Sequence, residues 1–211
     1  MFGRLGGALA ALGIVALGTV GLGRPAGAAE LILGAYGHDV SFIGKVVGSG
    51  SANREGGADI ELGVRSDRIE ALHVIGAPQA HALLSLNTNN TSNFVAAGLS
   101  WPMRLTDRFY FRPGLGLAYT DGEAGLPPVN APGLTPQEVQ RRLHLYRTRI
   151  DFGSQVLFEP ELNLGMKLGG PWSAELSWVH ISNGQVFHHG KNQGLDDAGL
   201  RVIYALGARG R

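Results

Sequence analysis

The stretch IDFGSQVLFEPELNLGMKL, residues 150–168, decides the fold. Its even positions are Ile150, Phe152, Ser154, Val156, Phe158, Pro160, Leu162, Leu164, Met166 and Leu168. Its odd positions carry Asp151, Gly153, Gln155, Glu159, Glu161, Asn163, Gly165 and Lys167, with Leu157 the apolar exception. A period of two sustained this long predicts a β-strand with one greasy and one polar face. The pattern recurs on both sides of it. Phe109, Phe111, Leu115, Leu117 and Tyr119 oppose Arg108, Arg112, Gly114 and Gly116. Ile60, Leu62 and Val64 oppose Asp59, Glu61, Gly63 and Arg65. Trp172, Leu176 and Trp178 oppose Ser173, Glu175 and Ser177, and Leu200, Val202, Tyr204 and Leu206 oppose Arg201 and Ile203. Weaker alternation near residues 30–43, 80–87 and 94–105 brings the count to about eight strands.

Two architectures use such strands. A soluble lipocalin-like barrel turns the apolar face inward, whereas an outer-membrane barrel turns it toward lipid. Here the polar faces hold Glu159, Glu161, Lys167, Arg112 and Glu175 beside many glycines. Small and charged residues together suit the crowded interior of a small barrel. Strands of ten residues or more also match the roughly 9–11 needed to cross a bilayer. The reading is therefore all-β: an eight-stranded antiparallel outer-membrane β-barrel over residues 29–211. The short links at Thr106-Asp107 and Gly169-Gly170-Pro171 suit periplasmic turns. The longer links near 44–57, 120–149 and 183–195 suit extracellular loops. Pro102, Pro113 and Pro160 fall inside predicted strands, where bulges or strand ends are expected.

Residues 1–28 read as a secretory signal peptide. Arg4 is followed by an apolar, Gly/Ala-rich run and by the small-x-small site Ala26-Gly27-Ala28. Without this leader, 16 basic side chains face 17 acidic ones. That balance argues against a nucleic-acid partner. The absence of cysteine excludes disulfides, a thiol nucleophile and Cys-ligated metal. The mean hydropathy of +0.05 is then the average of two opposite faces.

One greasy stripe breaks its own rule. Trp172, Ala174, Leu176 and Trp178 continue as His180 and Ser182. Residues i and i+2 of a strand share a face with Cα atoms about 6.6–6.8 Å apart. A histidine and a serine so placed suit a general base and its nucleophile. Asp196 has the parity of Leu200, Val202 and Tyr204, so it shares that face if the last strand begins early enough, whereas Asp197 points inward. A carboxylate beside His180 would fix its tautomer. The Asn183 side-chain amide and the Gly184 N–H are candidate oxyanion donors. A polar headgroup boundary is the plainer reading of the same residues. His188 and His189 read as exposed loop side chains, and no metal is expected.

His180-Ile181-Ser182-Asn183, followed by Asn192-Gln193-Gly194-Leu195-Asp196, resembles the PagL-type lipid A 3-O-deacylase family of outer-membrane acyl hydrolases. That family has His-x-Ser-Asn near the end of its seventh strand and an Asn-x-Gly element leading into its eighth. The resemblance implies Ser182 as nucleophile, His180 as base and a carboxylate that orients it. Aligning the Asn-x-Gly elements places that carboxylate at Asp196, with Asp197 the alternative. Aspartate stands where the best-known members have glutamate. The stretch from Gly184 to Lys191 is about two residues longer than the family pattern, and Gly207–Arg211 extends past the usual terminal aromatic. The implied substrate is lipid A of lipopolysaccharide in the outer leaflet, attacked at its 3-O-linked acyl ester without a cofactor. Trp178 would line the acyl groove, while Arg141, Arg142, Arg147, Arg149 and Lys191 would meet phosphates. A non-enzymatic small barrel and an outer-membrane phospholipase are the alternatives, and monomer and homodimer both remain open.

Overall fold

The computed structural model describes residues 30–41, 46 and 52–206. The signal-peptide reading of residues 1–28 lies outside them. The strands are β1 (Glu30–Gly37), β2 (Ala58–Arg68), β3 (Gln79–Asn87), β4 (Phe94–Ser100), β5 (Met103–Arg104), β6 (Phe109–Thr120), β7 (Val156–Gly169), β8 (Trp172–Ile181) and β9 (Leu195–Ala205). Each pairs antiparallel with its neighbours, and β1 pairs with β9. The sheet therefore closes on itself.

Nine segments make eight barrel positions because β4 and β5 are one strand interrupted. Leu99 pairs with Leu115 and Met103 with Phe111, a single unshifted register. Pro102 and Pro113 cause the interruption. Trp101 N–H donates to Pro113 O at 2.9 Å, but Pro113 has no N–H to return. Pro160 acts similarly in β7. Phe158 bridges Ser182 and Glu161 pairs with Val179, so the register runs straight through and sets Pro160 opposite His180. Of the three prolines, only Pro102 ends a segment. Pro113 and Pro160 sit inside strands without a bulge.

The two faces sort as lipid and interior require. Leu33, Leu62, Leu115, Leu164, Leu176 and Leu200 are exposed on the outer surface. Trp172 and Tyr204 meet edge to face at 4.8 Å at the short-turn end, as in an aromatic girdle. Inside, Arg201 is fully buried. It bonds Glu61 at 2.7 and 2.9 Å, Glu161 at 2.6 Å and Asn163 at 2.9 Å. Arg65 and Arg112 both reach Glu175 and Glu30. Buried charges are tolerable only when paired in this way. Tyr110 and Tyr36 lie over the cross-strand glycines Gly165 and Gly199, where a Cβ would collide with the ring of Tyr110 or the backbone before Tyr36.

Two expectations change. β7 starts at Val156, not Ile150, because Gly153 turns the chain at φ +76. Ile150 and Phe152 leave the predicted outer stripe and are completely buried in the core with Leu157, Ile181 and Leu195. The long link between β6 and β7 contains a helix, α1 (Pro136–Thr148). Thr135 caps it by accepting the Glu138 N–H at 3.2 Å, with Pro136 in the first turn.

Candidate active site

The long links lie at the barrel end where β8 finishes and β9 begins, the extracellular end of such a barrel. Continued strand parity keeps Trp178, His180 and Ser182 on the outer face, and the register sets His180 directly opposite Asp196. His180 Nδ1 and Asp196 Oδ1 are 2.8 Å apart. A carboxylate offers only lone pairs, so the contact places a ring proton on Nδ1, and in the neutral ring that tautomer leaves the lone pair on Nε2. The same Oδ1 accepts the Trp178 indole N–H at 3.0 Å. Asp196 is completely buried on the outer side of the barrel, and His180 is 7% exposed. A carboxylate there is costly unless its charge is met by donors such as these.

Ser182 follows two residues after His180 and is 9% exposed. Its backbone pairs with Phe158 through bonds of 2.7 and 3.2 Å. Among the described residues its hydroxyl makes no hydrogen bond to the imidazole. Phe158 packs on Phe187 with ring centroids 5.0 Å apart, and Val186 beside it is exposed. Phe158, the cross-strand partner of Ser182, thus carries apolar surface on the strand beside the serine.

Asn183 is completely buried. Its amide donates to Phe152 O and Lys191 O, both at 2.5 Å, and its Oδ1 accepts Gln185 N–H at 2.7 Å. The side chain thus clamps two loops together and has no proton left for an oxyanion. Gly184 N–H is also committed, to Asn192 Oδ1 at 3.0 Å. The backbone N–H of Asn183 makes no hydrogen bond among the described residues, which leaves it available as a donor beside Ser182. The Asn183 side chain expected as an oxyanion donor is thus already committed to the two loops.

Asp197 points into the barrel. Its Oδ1 lies 3.4 Å from His38, whose ring also meets Asp59 at 2.8 Å and Glu55 at 3.2 Å. His38, Asp59 and Asp197 could bring three metal-ligand atoms together, but carboxylates already occupy both His38 nitrogens. The cluster is complete as an imidazolium held by acids.

The basic residues are dispersed. Arg141 and Arg142 both bond Glu138, whose carboxyl is held down to about 2 by those two guanidinium hydrogen bonds. Lys191 pairs with the buried Asp151 at 3.1 Å and lies over the Tyr146 ring. Arg147 is exposed and Arg149 half-buried, and neither forms an ion pair among the described residues.

A closed barrel with an apolar outside, a charged inside and a histidine–carboxylate pair on its outer face defines a class, the outer-membrane β-barrel enzymes. A family model described as lipid A 3-O-deacylase (PagL) matches residues 76–205. The chain belongs to that family. The crystal structure of the outer-membrane enzyme PagL superposes with a TM-score of 0.53 at 12% identity, covering 83% of this chain and 98% of that one. A de novo designed transmembrane β-barrel scores 0.45 at 8% identity, covering 87% and 98% of the two chains. The Yersinia pestis outer membrane protein Ail scores 0.43 at 10% identity, covering 85% and 99%. No curated protein sequence matches this chain.

Proposed function

We propose that the protein is a serine esterase that removes the 3-O-linked acyl chain of lipid A from within the outer leaflet. The observation that carries this is the buried His180–Asp196 pair on the lipid-facing surface, two residues from Ser182. An ester group at the edge of the bilayer meets this face laterally, so the lipid never leaves the membrane.

His180 Nε2 takes the proton of Ser182 as the oxygen attacks the ester carbonyl. Asp196 stabilises the imidazolium that forms. The Asn183 backbone N–H faces the oxyanion. The tetrahedral adduct collapses, His180 returns its proton to the departing sugar oxygen, and the acyl group stays on Ser182. Water, deprotonated by His180, then releases a 3-hydroxy fatty acid and restores the serine. Phe158, Phe187 and Val186 hold the acyl chain against the barrel, and Arg147 and Arg149 reach the phosphates of the sugar.

The test is mass spectrometry of lipid A from cells making the wild type or Ser182→Ala. The wild type is expected to remove one 3-hydroxyacyl chain, and the variant none. Unchanged lipid A alongside cleaved glycerophospholipids would assign the chemistry to a phospholipase. Activity that survives Ser182→Ala would end the serine mechanism.

A further inference from the structure

A tryptophan at a membrane boundary ordinarily buries its ring in lipid and turns its N–H to water or headgroups. Trp178 does something else. It is half-buried on the outer face of β8, two residues before His180. Its Nε1 donates to Asp196 Oδ1 at 3.0 Å, the same oxygen that His180 Nδ1 contacts at 2.8 Å. Its ring is stacked 6.0 Å from the imidazole, at an interplanar angle of 25°. One oxygen thus receives two N–H groups from one strand edge, and one ring leans on the other.

We propose that Trp178 is a positioning residue for the hydrolysis. Its indole N–H pins the Asp196 carboxylate against His180, and its ring fixes the plane of the imidazole. This rests on the Ser182–His180 reading above. An aspartate reaches from β9 by a single methylene, and the indole N–H on the oxygen that meets His180 holds that oxygen in place, which matters because misplacing a catalytic group by about 1 Å can cost ~10²-fold in rate. Among the described residues paired beside His180, Asp196 approaches from β9, Pro160 stands opposite on β7, and neither Phe158 nor Pro160 titrates.

The test uses the full barrel in detergent micelles with lipid A as substrate. Trp178→Phe keeps a stacked ring and deletes the N–H. With one donor gone, Asp196 attracts the imidazolium more strongly. The acid limb of the pH profile of kcat/KM is therefore expected to move up by about half a unit to one unit. The plateau of kcat should fall about tenfold while KM changes little. A rise in KM with an unmoved pH profile would make Trp178 a wall of the acyl groove and overturn the proposal. The wild-type barrel supplies a second readout. The Trp178 indole N–H resonance is expected to resist solvent exchange and to shift on Asp196→Asn. A resonance indifferent to that change would overturn the proposal without any tryptophan variant. Ser182→Ala, run in parallel, separates the two levels. If it is inactive while Trp178→Phe matches the wild type, only the tryptophan inference fails. If it is active, both fall.

Discussion

Asp196→Asn isolates the charge of the orienting acid from its shape. Asparagine keeps an acceptor oxygen for His180 Nδ1 and Trp178 Nε1, now 2.8 and 3.0 Å from Oδ1. The variant loses the negative charge that stabilises His180 when it takes the proton from Ser182. With the atoms in contact, the two charge centres lie about 4 Å apart, where unit charges attract by ~4 kcal/mol at an effective dielectric constant of ~20. Losing that attraction in the transition state corresponds to about 10³-fold in rate. The charge acts on an imidazolium that forms only in the transition state, so KM should hardly change. The assay is the initial rate of fatty-acid release from lipid A by the purified barrel, read by mass spectrometry. Folding is checked by the heat-dependent gel shift of a closed barrel. Asp197→Asn is the internal control, because that side chain faces His38 and Asp59 inside the barrel. It should leave the rate within a few-fold of wild type. A loss under tenfold for Asp196→Asn, or a greater loss for Asp197→Asn in a folded barrel, would refute the assignment of the acid.

Gly153→Ala should leave the barrel folded yet lower its activity at least tenfold. Alanine must adopt φ +76, at a cost of about 1–2 kcal/mol, and its Cβ would collide with Lys191 O and Asn183 Nδ2 in the clamp behind Ser182. Fatty-acid release beside the gel shift distinguishes this from global unfolding. Arg201→Met should cost about 3–5 kcal/mol, because Glu61 and Glu161 lose their shared partner in the interior. Urea titration of the refolded barrel measures it, and an unchanged midpoint would refute the central role given to that arginine.

Much of this molecule is legible in its sequence because a strand has an integer period. Alternation separates lipid-facing leucines from inward acids without any knowledge of the partners. The parity of Leu200, Val202 and Tyr204 was enough to direct Asp196 outward and Asp197 inward, given an early start for β9. Parity fails where the ladder ends. Ile150 and Phe152 keep step with the outer stripe on paper, but Gly153 turns the chain before the strand begins and both pack in the core. Helix α1 follows a run of proline and glycine that reads as loop, although Thr135-Pro136-Gln137-Glu138 is a legible helix start. The family resemblance makes Trp178 a wall of the acyl groove. Its bond to Asp196 depends on a side-chain rotamer, which no spacing rule specifies. For the same reason, composition could not reveal that Asn183 spends its amide on Phe152 O and Lys191 O.

The neighbouring acids of β9 have a further consequence. Asp196 and Asp197 serve opposite sides of one wall, one toward the membrane and one toward the interior. Sliding β9 by one residue would exchange them, sending Asp197 into lipid and Arg201 with it. The barrel could not close in that register, since Arg201 would abandon its carboxylates inside. Correct closure of the last strand and assembly of the histidine–acid pair are thus a single event. A mispaired barrel has no route to partial activity, and fatty-acid release becomes a direct report on the register of the final strand.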